Sequence, residues 1–210
     1  MNFEMKKSMW IIALCCFSAA GAMAAKYKIK DLAVRPAAEY AASQDFQGLV
    51  IGAWALATQE EARQVFDTKK LIEKEILPVL VVVENNNDFA VRLRDKDIFL
   101  VLEDGANVPV LPLLEVLLKI NLDKPLSSYS TRKEVLVRQV VKPEMFMDFE
   151  HKSFGEKLIA PHSSDHGVVF FPYPSGEDLE ACRLYFPEIV NLTEDQPMMF
   201  FEFPLKSASR

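Results

Sequence analysis

The chain has 210 residues, and 50% of them are hydrophobic, which is enough apolar side chain for one domain with a large core. Its 24 Lys and Arg against 30 Asp and Glu give a formal net charge of −6 at pH 7, which excludes the basic surface on which nucleic-acid binding and broad adhesion to anionic lipid depend. Of three cysteines, Cys15 and Cys16 lie in an apolar N-terminal segment, so the rest of the chain has no pair for an internal disulfide.

The N-terminus has the three parts of a secretory signal peptide. Lys6 and Lys7 precede the apolar stretch 8–20, and Ala22-Met23-Ala24 supplies the small residues of a cleavage site. We predict that residues 1–24 are a signal peptide, and that the mature protein is periplasmic or secreted with no stable membrane span. The alternatives are an uncleaved anchor, for which the apolar stretch is short against the ~20 residues of a span, and a lipid-modified cysteine, whose neighbours here fit that signal poorly.

The first part of the mature chain predicts a lead-in, a strand and a short helix. Residues 25–47 mix charge and alanine without a clear period, which indicates an extended or partly disordered lead-in to a domain at 48–210. Residues 49–56 are apolar and predict a strand. Thr58-Gln59-Glu60-Glu61 is a capping box, which predicts a helix from Gln59 to about Phe66.

The strongest strand prediction covers residues 76–83. This run is rich in Val and Leu and is apolar on both faces, which is typical of a central strand. The turn-favouring residues Glu84 to Asp88 end it, and further strands are predicted at 89–93 and 97–102.

The middle of the chain predicts a helical insertion near 113–155. Residues 113–120 carry apolar side chains at helical spacing. Residues 133–141 fit either a helix or a strand, and the spacing of Met and Phe over 144–154 favours a helix.

The C-terminal third returns to strands, predicted at 167–171, 182–186 and 198–203. Short strands separated by Pro and Gly turns favour a sandwich over a parallel sheet. The last strand has large apolar side chains on both faces, which indicates either a central strand or a face offered to a partner.

One segment, His162-Ser163-Ser164-Asp165-His166, is a candidate for chemistry. Two imidazoles and a carboxylate, with His151 as a further ligand, fit a metal site, and the serines with a histidine fit a hydrolase. Because Pro161 and Gly167 bracket the segment, we interpret it as a polar loop, and a metal-dependent or hydrolytic enzyme using the 162–166 loop is the alternative. Neither serine lies in a G-x-S-x-G elbow.

Two further features have simple structural explanations. Cys182 shares a predicted strand face with Leu184 and Phe186, which predicts a buried, inert thiol, with a disulfide to another chain as the alternative. The acidic residues at 84–88 and 95–97 could ligate calcium, but a turn followed by a hairpin explains them more simply. No phosphate-binding glycine motif is present, and we assign no catalytic, cofactor-binding or metal residue.

Three stretches together resemble immunoglobulin-like accessory domains of exported bacterial proteins, an uncharacterised group. They are Ile76-Leu77-Pro78-Val79 leading to Glu84-Asn85-Asn86, then Leu158-Ile159-Ala160-Pro161 followed by Gly167 to Phe171, and Phe200 to Phe203 at the end. The resemblance implies a β-sandwich and no known activity, with Gly167 opening its strand after a proline loop. His162, Ser163 and Ser164 depart from the group's pattern.

The sequence therefore predicts a mainly β, immunoglobulin-like β-sandwich with a short N-terminal helix and the helical insertion. For function it favours a non-enzymatic exported domain that binds a protein partner or supports an envelope assembly. Besides the enzyme, a carrier that holds an apolar ligand between sheets is an alternative, because 15 of the residues are Phe.

Overall fold

The structure is a computed structural model that describes residues 26–173, 178–198 and 200–206. The predicted signal peptide, residues 1–24, lies outside the described residues. Twelve strands are present in the described part: β1 (Ala42–Phe46), β2 (Leu49–Ala55), β3 (Ile76–Asn85), β4 (Val91–Arg94), β5 (Phe99–Val101), β6 (Asn107–Pro109), β7 (Glu156–Ile159), β8 (Ser163–Pro172), β9 (Arg183–Phe186), β10 (Val190–Asn191), β11 (Gln196–Pro197) and β12 (Phe201–Pro204). The α-helices there are α1 (Gln59–Val65), α2 (Lys70–Glu73), α3 (Leu113–Asn121), α4 (Lys133–Val140) and α5 (Pro143–Lys152).

A central antiparallel sheet has the strand order β1-β2-β3-β8. β3 pairs on both edges: Val81 lies opposite Ala53 of β2 and opposite Gly167 of β8. The prediction that 76–83 forms a central strand is confirmed, and β3 continues two residues further, to Asn85. All strand pairs within the three sheets are antiparallel, which agrees with the choice of a sandwich over a parallel sheet.

One face of the central sheet packs against two smaller sheets, of order β11-β10-β4-β7 and β12-β9-β5-β6. Because side chains alternate along a strand, every second residue of β3 points into this interior. These are Leu77, Val79, Val81 and Val83, which share one buried cluster with Leu93, Leu100, Leu184 and Phe201 of the smaller sheets. The mainly β class and a sandwich-like arrangement of sheets are thus confirmed.

The other face of the central sheet is covered by helices. The alternate β3 residues Ile76, Leu80 and Val82 form a second buried cluster with side chains from α1, α2, α3, α4 and α5. Three rings stack at its centre: Phe66 and Phe149 lie 4.2 Å apart, and Phe149 and Phe170 lie 5.8 Å apart, between ring centroids. The molecule therefore has three layers, with the central sheet in the middle.

The predicted helices are present. The Thr58–Glu61 capping box forms as expected: Thr58 Oγ1 accepts a hydrogen bond from Glu61 N at 3.1 Å, and Glu61 Oε2 accepts one from Thr58 N at 2.9 Å. The segment 133–141 fits either a helix or a strand by sequence, and its residues Lys133–Val140 form α4. The last predicted helix starts at Pro143, in the first turn where the missing N–H costs nothing, and ends at Lys152. No helix in the three described ranges is long and apolar enough to cross a bilayer.

The lead-in differs from the expectation, because residues Ala42–Phe46 form β1 at one edge of the central sheet. Its side chains do alternate: Ala42 is buried, Gln44 and Phe46 are partly buried, and Ser43 and Asp45 are exposed. The sheet thus begins at Ala42 rather than at 48.

The side chain of Asn85, at the end of β3, links the β3–β4 turn to the β7–β8 turn. Asn85 is buried, and its Nδ2 donates to the carbonyl oxygens of Phe89 at 2.7 Å and Ala160 at 3.1 Å, while its Oδ1 accepts from Asn87 N at 3.2 Å. Ala160 lies in the turn between β7 and β8, and Phe89 lies in the turn between β3 and β4. The Asn85 amide therefore joins the two turns by which the chain passes between the central sheet and the β11-β10-β4-β7 sheet.

The last strand is not central. Among the described strands β12 pairs only with β9 and forms an edge of its sheet, so the central-strand alternative for 198–203 is wrong. Phe201 and Phe203 are buried, whereas Phe200, just before the strand, is 51% exposed and packs edge-on against Tyr185.

Candidate functional site

The 162–166 segment is not a loop. Only His162 lies in the turn, with φ +50°, and Ser163 already begins β8. The reason is that β3 offers a ten-residue partner, which pairs Asn85 with Ser163 at one end of the ladder and Ile76 with Pro172 at the other. The ladder satisfies the backbone groups and outweighs the low strand propensity of Ser and Asp.

This geometry separates the residues of the metal hypothesis. Asp165 and His166 are consecutive strand residues and point to opposite faces, so they cannot ligate one ion together. Asp165 pairs with Lys157 at 3.1 Å, and His162 Nε2 lies 2.8 Å from Asp88 Oδ1 on the exposed surface. Across the described ranges no cluster of three or more His, Cys, Asp or Glu side chains suits a metal.

Gly167 lies inside β8 rather than opening it, and its role is close packing. A methyl group at Gly167 would lie within 2.8 Å of the Phe154 backbone nitrogen. That nitrogen donates to the Val168 carbonyl at 3.0 Å, so the absence of a side chain lets the segment after α5 cover the edge of β8.

Cys182 is fully buried with Leu184 and Phe186, as predicted for their shared face. Its Sγ donates to the Asp178 carbonyl oxygen at 3.3 Å. A disulfide to another chain would require this segment to open.

The carboxylates considered for calcium have separate partners. Glu84 accepts from Ala37 N at 2.8 Å, Asp97 pairs with Arg94 at 2.6 Å, and Asp88 faces His162.

A buried polar cluster, which sequence analysis missed, joins the start of the described chain to α5. Asp148 Oδ2 accepts a hydrogen bond from Tyr27 Oη at 2.5 Å, and Asp148 Oδ1 lies 2.5 Å from Lys152 Nζ. Lys152 Nζ also donates to the Val65 carbonyl at 2.8 Å and lies over the Phe66 ring. The i,i+4 spacing of Asp and Lys was visible in the sequence, but such pairs are common on helix surfaces.

The electrostatics of this cluster favour a protonated Tyr27. Burial, followed by the hydrogen bond and the negative charge of Asp148, raises the pKa of the Tyr27 hydroxyl far above its usual value of 10.0. The protonated phenol donates to Asp148 and thereby fastens Tyr27 to α5.

An open apolar groove on the helical layer is the strongest candidate binding site. This helical groove has a volume of about 450 Å³ and is lined by side chains of α3, α4, α5 and their junction: Leu114, Glu134, Val137, Arg138, Val141, Pro143, Phe146 and Met147. Six of these eight are apolar, and the two charged ones both come from α4.

The path of the chain produces this groove. α3 packs against α4, with Lys133 Nζ 3.0 Å from Glu115 Oε2, so Leu114 forms part of the floor. Val141 and Lys142 are extended residues between α4 and α5, so α5 does not continue α4. Met147, on α5, is 52% exposed, and Val135, on the outer side of α4, is 45% exposed.

A second hollow of about 460 Å³ lies at the other end of α3. Its lining includes Lys74, Glu115, Lys119, Asp123 and Lys124. Both hollows open to solvent, whereas the carrier hypothesis calls for a sealed cavity between sheets.

Fold and groove together define a class: mainly β proteins with three antiparallel sheets, a helical layer on one face and an open apolar groove in that layer. No protein-family model and no curated protein matches the chain. Among solved structures it is similar to the yjhA protein of Bacillus subtilis, with a TM-score of 0.44 and 8% identity, over 80% of this chain and 98% of that one. It is also similar to the ycdA protein of Bacillus subtilis, with a TM-score of 0.41 and 11% identity, over 79% of this chain and 39% of that one. At these identities no residue role is transferred.

Proposed function

We propose that this protein is an exported, non-enzymatic module that binds another protein through the helical groove. The observation that carries the proposal is the groove itself: about 450 Å³, mostly apolar, open to solvent and edged by the exposed Met147.

The composition of the groove favours a protein over a small molecule. Protein interfaces combine an apolar centre with a polar rim and are enriched in Met, Arg and aromatic residues. Here Val137, Val141 and Phe146 form the apolar part, and Glu134 and Arg138 the charged part. A pocket for a small apolar ligand would enclose most of that ligand's surface, which an open groove does not do.

The remaining parts of the proposal rest on the sequence. Residues 1–24 direct export, the mature protein acts in the periplasm or outside the cell, and it supports an envelope assembly by contact rather than by catalysis. The immunoglobulin-like classification belongs to the same proposal and is supported by the resemblance of the 76–86 and 158–171 segments.

Site-specific photo-crosslinking in the producing cell tests the proposed surface. A photoreactive amino acid at Met147 should give a discrete protein adduct. The matched control is Leu158 of β7, an exposed apolar residue at 65% on the opposite side of the central sheet, which should give none. Adducts at Leu158 but not at Met147 would assign binding to another face.

The enzyme alternative has its own measurement. Zinc bound in a 1:1 ratio and lost on replacing His162 or His166 would contradict the non-enzymatic proposal.

A further inference from the structure

We infer that the partner of the helical groove is a second copy of this chain, so that the groove is the face of a two-fold symmetric homodimer. This inference rests on the proposed function, whose binding surface it shares.

The charges beside the groove are self-complementary. Glu134 and Arg138 are both exposed and lie one helical turn apart on α4. In a two-fold interface the same patch meets itself, so residue i contacts residue j and j contacts i. If two α4 helices cross antiparallel at the axis, Glu134 of each copy faces Arg138 of the other. Each α4 thus supplies one Glu and one Arg to two ion pairs between the copies.

The overall charge makes this face the favourable one for self-association. Two copies of a chain with net charge −6 repel each other over most orientations. The charged groups lining the groove are one acid and one base, so the groove itself carries no net charge. Contact between two grooves therefore adds no like-charge repulsion of its own.

The apolar side chains fit the same arrangement. Met147, which lines the groove, is 52% exposed, whereas most large apolar side chains in the described ranges are buried. Symmetry brings each copy's Met147 to the other copy's groove, and the unbranched Met side chain adapts to irregular gaps. Burying Met147 in this way removes apolar surface from water on both copies.

Charge reversal in single and double variants tests the inference. The protein is expressed from the full 210-residue sequence, purified after export, and studied by sedimentation velocity over a range of concentrations. We expect a reversible dimer. Glu134→Arg places Arg opposite Arg138 twice per dimer, and Arg138→Glu places Glu opposite Glu134 twice. Each should weaken dimerisation about tenfold or more, and the double variant should restore it to within about threefold, because the pairs are re-formed with signs exchanged.

Glu194→Arg is the matched control. It makes the same charge change in the exposed turn between β10 and β11, beyond the central sheet, and should leave the dimer intact. Far-UV circular dichroism and thermal unfolding of each variant establish that the reversed chains are folded.

The outcomes separate the inference from the proposed function. If neither single reversal weakens dimerisation, or if the double variant dimerises no more strongly than the single variants, the groove is not the dimer face. A monomer whose Met147 crosslinks to a different protein overturns the second copy as partner and leaves the proposed function standing. A monomer with no adduct at Met147 overturns both.

Discussion

Replacing Lys152 by Met tests whether the buried cluster at α5 is an ion pair that the fold depends on. The substitution keeps the aliphatic length of the side chain and removes its charge. It deletes the 2.5 Å contact with Asp148 and the 2.8 Å hydrogen bond to the Val65 carbonyl. Asp148, which is 2% exposed, then keeps only the hydrogen bond from Tyr27.

The expected loss in the free energy of unfolding is large because the Asp148 carboxylate stays buried without its counter-ion. Removing one partner of a buried ion pair costs about 3–5 kcal/mol, since the remaining charge has neither water nor a counter-ion. For a chain of this length each kcal/mol corresponds to a Tm change of about 2–4 °C, so Tm should fall by roughly 6–20 °C. Replacing both residues, Asp148→Leu with Lys152→Met, should cost less than the single change, because no charge is left buried.

Urea unfolding followed by circular dichroism measures both the single and the double variant. The matched control is Lys133→Met, which breaks an ion pair of 3.0 Å whose side chains are partly exposed, and should cost no more than about 1 kcal/mol. A loss below about 1 kcal/mol for Lys152→Met, or a double variant less stable than the single one, would refute the ion-pair argument.

Three further predictions concern the pH dependence and close packing of the fold. Because the pKa of Tyr27 is raised in the folded state, the unfolded chain loses this proton first, and the free energy of unfolding should fall as pH rises above about 10, by about 1.4 kcal/mol per unit. Tyr27→Phe removes that contribution, so equal slopes in alkaline urea titrations would contradict it. Gly167→Ala places a methyl group against the Phe154 backbone and should cost about 2–4 kcal/mol in thermal unfolding, a prediction that a near-neutral result would overturn. Asn85→Leu leaves at least two carbonyl groups without their hydrogen-bond donor and should cost about 2–3 kcal/mol of stability. The control Asn86→Ala, at an exposed position, should change stability by less than about 0.5 kcal/mol. Similar losses for the two variants would rule out the role of Asn85 in linking the two turns.

Much of the architecture could be predicted because its signals are local. β3 is apolar on both faces, which requires cover on both sides, and the capping box at Thr58 fixes the first turn of α1. The strands β6, β10 and β11 could not be found, because two or three residues carry no period. The strand predicted at 167–171 covers only the second half of β8, because the first half is polar and takes its strand geometry from pairing with β3.

The candidate site depends on contacts that no local pattern encodes. Tyr27 and Asp148 are 121 positions apart, and no local sequence pattern around either residue predicts their contact. The helical groove is lined by residues of α3, α4 and α5 and lies where two extended residues, Val141 and Lys142, interrupt the helical chain. Periodicity favours a helix over 144–154, but it leaves 133–141 open between helix and strand and says nothing of how the two segments meet.

The buried cluster and the helical groove are connected through the rotation of α5. Each residue turns the helix by about 100°, so holding one side chain inward determines which neighbours face outward. The contacts of Asp148 with Tyr27 and Lys152 hold one side of α5 against the core, and Phe146 and Met147 are thereby presented to the groove. Tyr27, which does not line the helical groove, thus contributes to the groove's shape by fixing the rotation of α5.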